Sequence, residues 1–260
     1  MTQAVLFQKK SNIGEIILNR PEELNAMNFD LIEGLAKAVE QCRDPEVRVV
    51  IMKANGRCFC AGGDIKFFQQ QINKKDMIPE RMPDRLHEMV EALRDLEKPV
   101  LASVHGAAAG AGAPLVLSCD LAIASEDTIF NFAYARIGLT PDGSSTFFLP
   151  RHVGFKKAAE IFMMMPTLSA AEAKELGLIN WVVPRGELEK MTESIAHQLA
   201  QGATQAFGRV KKLLNQSHSN NLHDQLALET RMICDSSQTE DFKEGVGSFL
   251  GKRTPKFNGN

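Results

Sequence analysis

Two kinds of patterning divide this chain, and the point where one of them stops constrains the fold most. As far as Val183, short apolar runs of strand length alternate with helical stretches. Beyond it only helical patterning remains, over residues 187–201, 203–216, 222–234 and 240–250. Residues 4–7 and 14–18 predict two strands around a polar turn at 9–12. Asn28 predicts the N-cap of an amphipathic helix with Leu31, Leu35 and Val39 on one face. Residues 47–52 are a β-branched run that suits a buried strand, and residues 69–85 read as a polar loop, followed by a helix to about Leu96. Strands at 100–104 and 121–124 bracket a small-residue run, 106–112, that leads into a helix ending near Cys119. Residues 141–150 and 155–165 read as helical. This order predicts an α/β core of ββα-like turns over residues 1–184 and a helical region over 185–260.

Composition narrows the function classes. The 260 residues are 44% hydrophobic, enough for one large domain or a domain with an appendage, and the net charge of −2 gives no general pull toward nucleic acid or an anionic membrane. No run of about 18 apolar residues reads as a membrane span. Residues 1–10 lack the long apolar stretch of a signal peptide, so a cytoplasmic location is the expectation. Cys42, Cys58, Cys60, Cys119 and Cys234 are odd in number and irregular in spacing, which reads as free thiols. Neither the cysteines nor His87, His105, His152, His197, His218 and His223 show metal-ligand spacing, so no metal is expected.

Three stretches carry residue types that chemistry requires. Cys60-Ala61-Gly62-Gly63-Asp64-Ile65 follows a strand and opens a helix. It suits equally an ordinary tight turn and a cradle of backbone N–H groups for developing negative charge. The run from Gly106 to Ala113 occupies a similar strand-to-helix junction and matches neither phosphate-binding fingerprint. It also reads as a helix start packed tightly on the sheet. Two such donors aimed at one point would form an oxyanion hole. In the third stretch, residues 138–145, Asp142 reads as a helix N-cap or as a carboxylate at the floor of a pocket, and the pattern by itself leans to the cap. Phe147, Phe148 and Leu149 are candidates for the apolar setting that strengthens a carboxylate base.

Taken in order, these stretches resemble the crotonase, or enoyl-CoA hydratase/isomerase, superfamily. The resemblance covers nearly the whole chain. It runs through Leu18-Asn19-Arg20-Pro21, Leu24-Asn25-Ala26, residues 60–64, Lys98-Pro99-Val100, residues 106–112, Cys119-Asp120, Leu149-Pro150-Arg151, residues 170–177 and residues 249–257. No one motif is decisive, but the ordered set is specific. Residues 106–113, 137–142 and 241–257 look most like the branch of 1,2-epoxyphenylacetyl-CoA isomerase and its Δ3,Δ2-enoyl-CoA isomerase relatives.

The resemblance implies a crotonase fold: a spiral of ββα turns whose helical C-terminal region builds a homotrimer or a hexamer from two trimers. It implies an acyl-CoA thioester substrate, with coenzyme A entering as part of that substrate and no separate cofactor. By position, the backbone N–H groups of Gly63 and Ala111 would hold the thioester oxygen. The family often has glycine at the second site, and alanine there keeps the donor while adding a methyl group. The two glutamates of the hydratases fall on Pro114 and Tyr134, neither of which can do a carboxylate's work. Asp142 matches the lone acid of the isomerases, so the implied activity is a Δ3-to-Δ2 double-bond shift or rearrangement of an epoxyphenylacetyl-CoA-like substrate. Coenzyme A contacts are implied for Ala61, Asp64 and Ile65, and for Phe249 and Lys252 from a neighbouring chain. Glu22 and Glu23 stand where relatives often carry a basic residue, which would leave the phosphates to Lys252, Arg253 or Lys256.

Two other readings compete. The distance from His87 to Pro99, and from Gly138 to Asp142, resembles the 4-chlorobenzoyl-CoA dehalogenases, in which an Asp attacks the ring and a His activates water. Tyr134 stands where those enzymes place a tryptophan near the Asp. A non-catalytic crotonase-like module binding acyl-CoA or RNA is the second alternative, although the chain has no basic excess.

Overall fold

A computed structural model of the chain describes residues 3–73 and 78–260. Its main sheet has six strands: β1 (Val5–Lys10), β2 (Ile13–Leu18), β3 (Val49–Ala54), β4 (Val100–Val104), β6 (Leu121–Ser125) and β9 (Trp181–Val183), hydrogen-bonded in that order. The β1–β2 hairpin is antiparallel and every later pairing in this sheet is parallel. A second sheet joins β5 (Ala107–Ala109), β7 (Ile129–Asn131) and β8 (Leu168–Ser169) in the order β5-β7-β8. The chain passes from main sheet to small sheet to helix and back. β4 and β5 lead into α4 (Gly112–Leu117), and β6 and β7 lead through a 3-10 turn (Tyr134–Ile137) toward α5 (Ser145–Met164). These are the ββα turns the order of elements predicts.

Alternation along the strands decides what each face meets. Val50 and Met52 of β3 point into the main core, which also takes Leu31, Leu35 and Val39 of α1 (Phe29–Gln41) and Leu86, Met89 and Leu93 of α3 (Arg81–Arg94). Val49 and Ile51 point the other way, onto Ala196 and Ala200 of α7 (Leu188–Ala200). With both faces covered, all six residues of β2 are buried, and each large aliphatic side chain so buried contributes about 1.5–3 kcal/mol. Glu15 is buried in that strand between Lys53 at 2.9 Å and Lys10 at 3.0 Å. Burial pushes its carboxyl up, but the two lysines outweigh that and hold it below the ordinary value. Asn28 caps α1, accepting from Leu31 N at 3.0 Å, as its position predicts.

Three expectations are corrected. Residues 69–85 are not one loop: α2 (Ile65–Gln71) runs into the stretch and α3 begins at Arg81, while residues 74–77 lie outside the described residues. The small-residue run does not pass directly into a helix, because residues 107–109 first pair with β7 as β5. Residues 141–144 are not helical. Gly143 and Ser144 take left-handed backbone conformations, with φ of 57° and 76°, and α5 starts only at Ser145. The two helical stretches read from the sequence are separated where expected, by a break at Gly154 with φ of 76° and ψ of 163°.

The remaining helices are α6 (Ala170–Glu175), α8 (Thr204–Ser217), α9 (Leu222–Ser237) and α10 (Glu240–Leu250). A partly buried charge cluster ties α8 to the core. Asp120 accepts from Arg94 Nη1 at 2.8 Å, Lys211 Nζ at 2.9 Å and Val100 N at 2.8 Å, and Lys211 also donates to the Leu93 carbonyl at 3.0 Å. The C-terminal tail folds back onto the protein. Asp241 accepts from the Asn258 and Gly259 amides, Glu244 accepts from Arg253 and the Lys256 amide, and Arg48 donates to the Phe257 carbonyl. All five cysteines are free, and only Cys234 is exposed. Burial pushes Cys42, Cys60 and Cys119 up to about 12. Among the described residues no helix is long and apolar enough to cross a membrane.

Candidate active site

Two strand-to-helix junctions meet face to face. Phe59 N donates to the His105 carbonyl, Cys60 N to the Ala107 carbonyl and Ala109 N to the Cys60 carbonyl, each at 2.9 Å. This short ladder sets β5 beside residues 59–60, and the chain then turns away on both sides. One turn is at Gly62, with φ of 102°, and the other at Gly110, with φ of 47°. Both positions need glycine for that backbone and for closeness: a Cβ on Gly62 would lie 3.0 Å from the Ala109 oxygen, and one on Gly110 would lie 3.2 Å from the Gly62 Cα. Around the first turn, Ala61 N and Asp64 N are held by the Leu24 and Met27 carbonyls at 3.1 and 3.0 Å. The Gly63 N–H between them meets no acceptor among the described residues, and the Ala111 N–H across the gap meets none either.

Gly63 and Ala111 both line a pocket of about 450 Å³. Its walls are mainly apolar, with Met27 and Ile32 on one side, Met82 and Leu86 of α3 on another, and Ile137 and Leu139 beyond the 3-10 turn. Asp142 reaches this pocket from the turn before α5 and is its one carboxylate among the described residues. It is not a cap: the residue preceding the helix is Ser144, which makes no side-chain cap bond, and the Asp142 carbonyl accepts from Ser145 N at 3.1 Å. Asp142 Oδ1 is buried without a hydrogen-bond partner. Oδ2 has no hydrogen-bond partner among the described residues either, and it is not fully buried. The apolar setting does not come from Phe147 and Phe148, which line a separate cleft beside Arg94 and Lys211, while Leu149 is buried in the core. The left-handed residues Gly143 and Ser144 redirect the chain between Asp142 and those rings.

Tyr134 lines the same pocket wall, and its hydroxyl is also buried without a partner of good geometry. Burial first, and the Asp142 charge second, push its phenol above the ordinary value. Pro114, the other position the resemblance matches to a hydratase glutamate, lies against the turn, 3.4 Å from where a Cβ on Gly143 would stand. His87 is exposed and does not line the pocket. Its Nε2 accepts from the Gly143 amide at 3.4 Å, so it braces the turn from behind.

The other site candidates are more dispersed. Ala61 and Ile65 are exposed on the pocket rim. Asp64 is committed inward: it caps α2 by accepting from Phe67 N at 3.2 Å and pairs with Arg20 at 3.1 Å. Phe249 is exposed on α10 along an apolar groove, and Lys252 follows it, both away from the Asp142 pocket of their own chain. Arg253 is paired with Glu244. Sequence reasoning missed Phe68, whose ring lies 2.7 Å from where a Cβ on Gly63 would stand and so selects glycine there. It also missed Arg136, which lines the pocket and donates to the Met165 carbonyl at 3.1 Å. The adjacent Phe67-Phe68 pair on a short helix was the available signal for the first, while nothing in the pattern marks the second.

Residues 8–260 match the enoyl-CoA hydratase/isomerase family. A Rhodobacter capsulatus protein named "Probable enoyl-CoA hydratase" is 37% identical over 98% of both chains. The 1,2-epoxyphenylacetyl-CoA isomerase of Escherichia coli K12 is 34% identical over the full length of both. Among solved structures, an enoyl-CoA hydratase from Polaromonas sp. JS666 superposes with a TM-score of 0.93 at 32% identity, covering 98% of this chain and 99% of the other.

Proposed function

The chain belongs to the enoyl-CoA hydratase/isomerase family, and from that premise we propose that it is an acyl-CoA isomerase that shifts a Δ3 double bond to Δ2. One observation carries this reading: an apolar pocket lined by a single carboxylate, Asp142, and by Gly63 and Ala111, whose main-chain N–H groups are unpaired among the described residues. Isomerisation needs one group that takes a proton and returns it. Hydration by the two-carboxylate route needs a second acid, and Pro114 and Tyr134 occupy those places. Asp142 Oδ2 takes a proton from C2 of a 3-enoyl thioester, and the electron pair moves onto the thioester oxygen. The two amides hold the resulting dienolate, each worth about 2.7–4 kcal/mol of barrier. The protonated Asp142 then delivers the proton to C4, and the double bond settles between C2 and C3. No separate cofactor takes part in this sequence, and coenzyme A enters as part of the substrate.

The dehalogenase route finds less support, because His87 already accepts from the Gly143 amide and stands outside the pocket wall. Assembly into a homotrimer or hexamer is supported by the apolar side chains left exposed on the C-terminal helices, including Leu214, Leu222, Ile233 and Phe249. Such an assembly would bring Phe249 and Lys252 of one chain toward the coenzyme A of another.

The test is an absorbance assay with trans-3-hexenoyl-CoA and crotonyl-CoA in parallel. Turnover of the first and not the second is expected. Asp142→Asn is expected to bind hexanoyl-CoA normally and lose isomerisation, whereas full activity in that variant would refute the assignment.

A further inference from the structure

Tyr134 Oη and Asp142 Oδ1 are two of only four side-chain polar atoms that are buried without a hydrogen-bond partner among the described residues. They are complementary, since a phenol donates and a carboxylate accepts, and they belong to the same pocket wall. A buried polar group left unpaired is costly, and buried groups in folded proteins are nearly always satisfied. The 3-10 turn that carries Tyr134 is fixed by the bond from Leu139 N to the Tyr134 carbonyl at 3.2 Å, so the ring is held beside the loop that delivers Asp142. Apart from Asp142, the charged residue lining the pocket among the described residues is Arg136, whose guanidinium is turned to the Met165 carbonyl. No other charged side chain of the wall is therefore placed to satisfy Oδ1.

We infer that Tyr134 is a positioning residue for the isomerisation: in the substrate-filled pocket its hydroxyl donates to Asp142 Oδ1, fixing that oxygen and leaving Oδ2 to carry the proton between C2 and C4. The inference rests on the isomerase reading above. It gives the tyrosine a task suited to a site with one acid. A carboxylate that must serve two carbons in succession gains from having one oxygen anchored while the other faces the substrate. The phenol suits this role because its burial keeps it protonated, and therefore a donor, at neutral pH.

The test uses Tyr134→Phe, which removes one oxygen and keeps the ring, and exploits the fact that Tyr134 is the only tyrosine in the chain. With trans-3-hexenoyl-CoA, kcat is expected to fall about 10- to 100-fold, the worth of a hydrogen bond to a charged group, while KM stays within about twofold. A kcat within about twofold of the parent, or a loss expressed in KM alone, overturns the inference. Protein grown with 3-fluorotyrosine carries fluorine at position 134 alone, so its ¹⁹F signal reports on that ring. That resonance is expected to move in Asp142→Asn, and an unmoved signal overturns the inference as well. Retention of isomerisation by Asp142→Asn would remove the proposed function and this inference together. Loss of isomerisation there with full kcat in Tyr134→Phe would remove the inference alone.

Discussion

Replacing Gly110 by alanine probes whether the contact between the two turns matters for turnover. The backbone at Gly110 has φ of 47°, and an L-residue in that region costs about 1–2 kcal/mol. The new Cβ would lie 3.2 Å from the Gly62 Cα and 3.8 Å from the Gly63 nitrogen, so the turns must part by a few tenths of an ångström. Gly177 supplies the control: its φ is 73° and a Cβ there meets nothing within 4 Å. Both substitutions should therefore lower Tm by a similar amount, roughly 2–8 °C for a chain of this size. Only Gly110→Ala should also separate the Gly63 and Ala111 amides, with a loss in kcat on the order of 10², close to removal of one oxyanion donor. Calorimetry and the hexenoyl-CoA assay on both variants give the two numbers. If Gly110→Ala loses stability like Gly177→Ala but keeps its kcat, the two amides do not act together on the substrate.

Two further outcomes follow from charges outside the pocket. Asp120→Ala leaves Lys211 and Arg94 facing each other without their shared carboxylate, which should cost about 3 kcal/mol. The fall in Tm would be roughly 6–12 °C, read by calorimetry. Glu244 is held at about 2, against an ordinary 4.5, by its hydrogen bonds from Arg253 and then from the Lys256 amide. A carboxyl lowered in the folded state contributes fully above about pH 4.5 and loses that contribution as pH falls toward 2. Brief pepsin digestion should therefore release the tail beyond α10 more readily at pH 2 than at pH 4, and equal rates at the two values would argue against this anchor.

What the sequence revealed was whatever depends on local pattern. Asn28 announces its helix because capping is a contact over three residues. The four C-terminal helices sit within a few residues of their predicted ranges because their apolar stripes repeat at the helical period. The strands of the small sheet were not legible. β5 is three alanines, and it becomes a strand through a ladder with Ile129, Phe130 and Asn131, some twenty residues further on. The three candidate segments were recognisable one at a time. Their convergence was not, since it depends on the bonds between Cys60 and residues 107–109. Asp142 was the hardest case. A proline before an acid and two serines looks like a helix entry, but the left-handed backbone at Gly143 and Ser144 delays the helix and frees the carboxylate. A serine in that conformation is uncommon, and side-chain pattern does not foretell it.

The donors at positions 63 and 111 belong to the main chain, and this shapes how the protein tolerates change. Exchanging the side chain at residue 111 leaves its amide in place unless the newcomer is proline. Alanine replacement cannot take either donor away: residue 111 is alanine already, and at residue 63 the added methyl group would press on Phe68 while the amide stays. Under the proposed function, variation could reshape the walls, or even exchange the reacting acid for another group, while the proposed grip on a thioester oxygen is kept by the backbone.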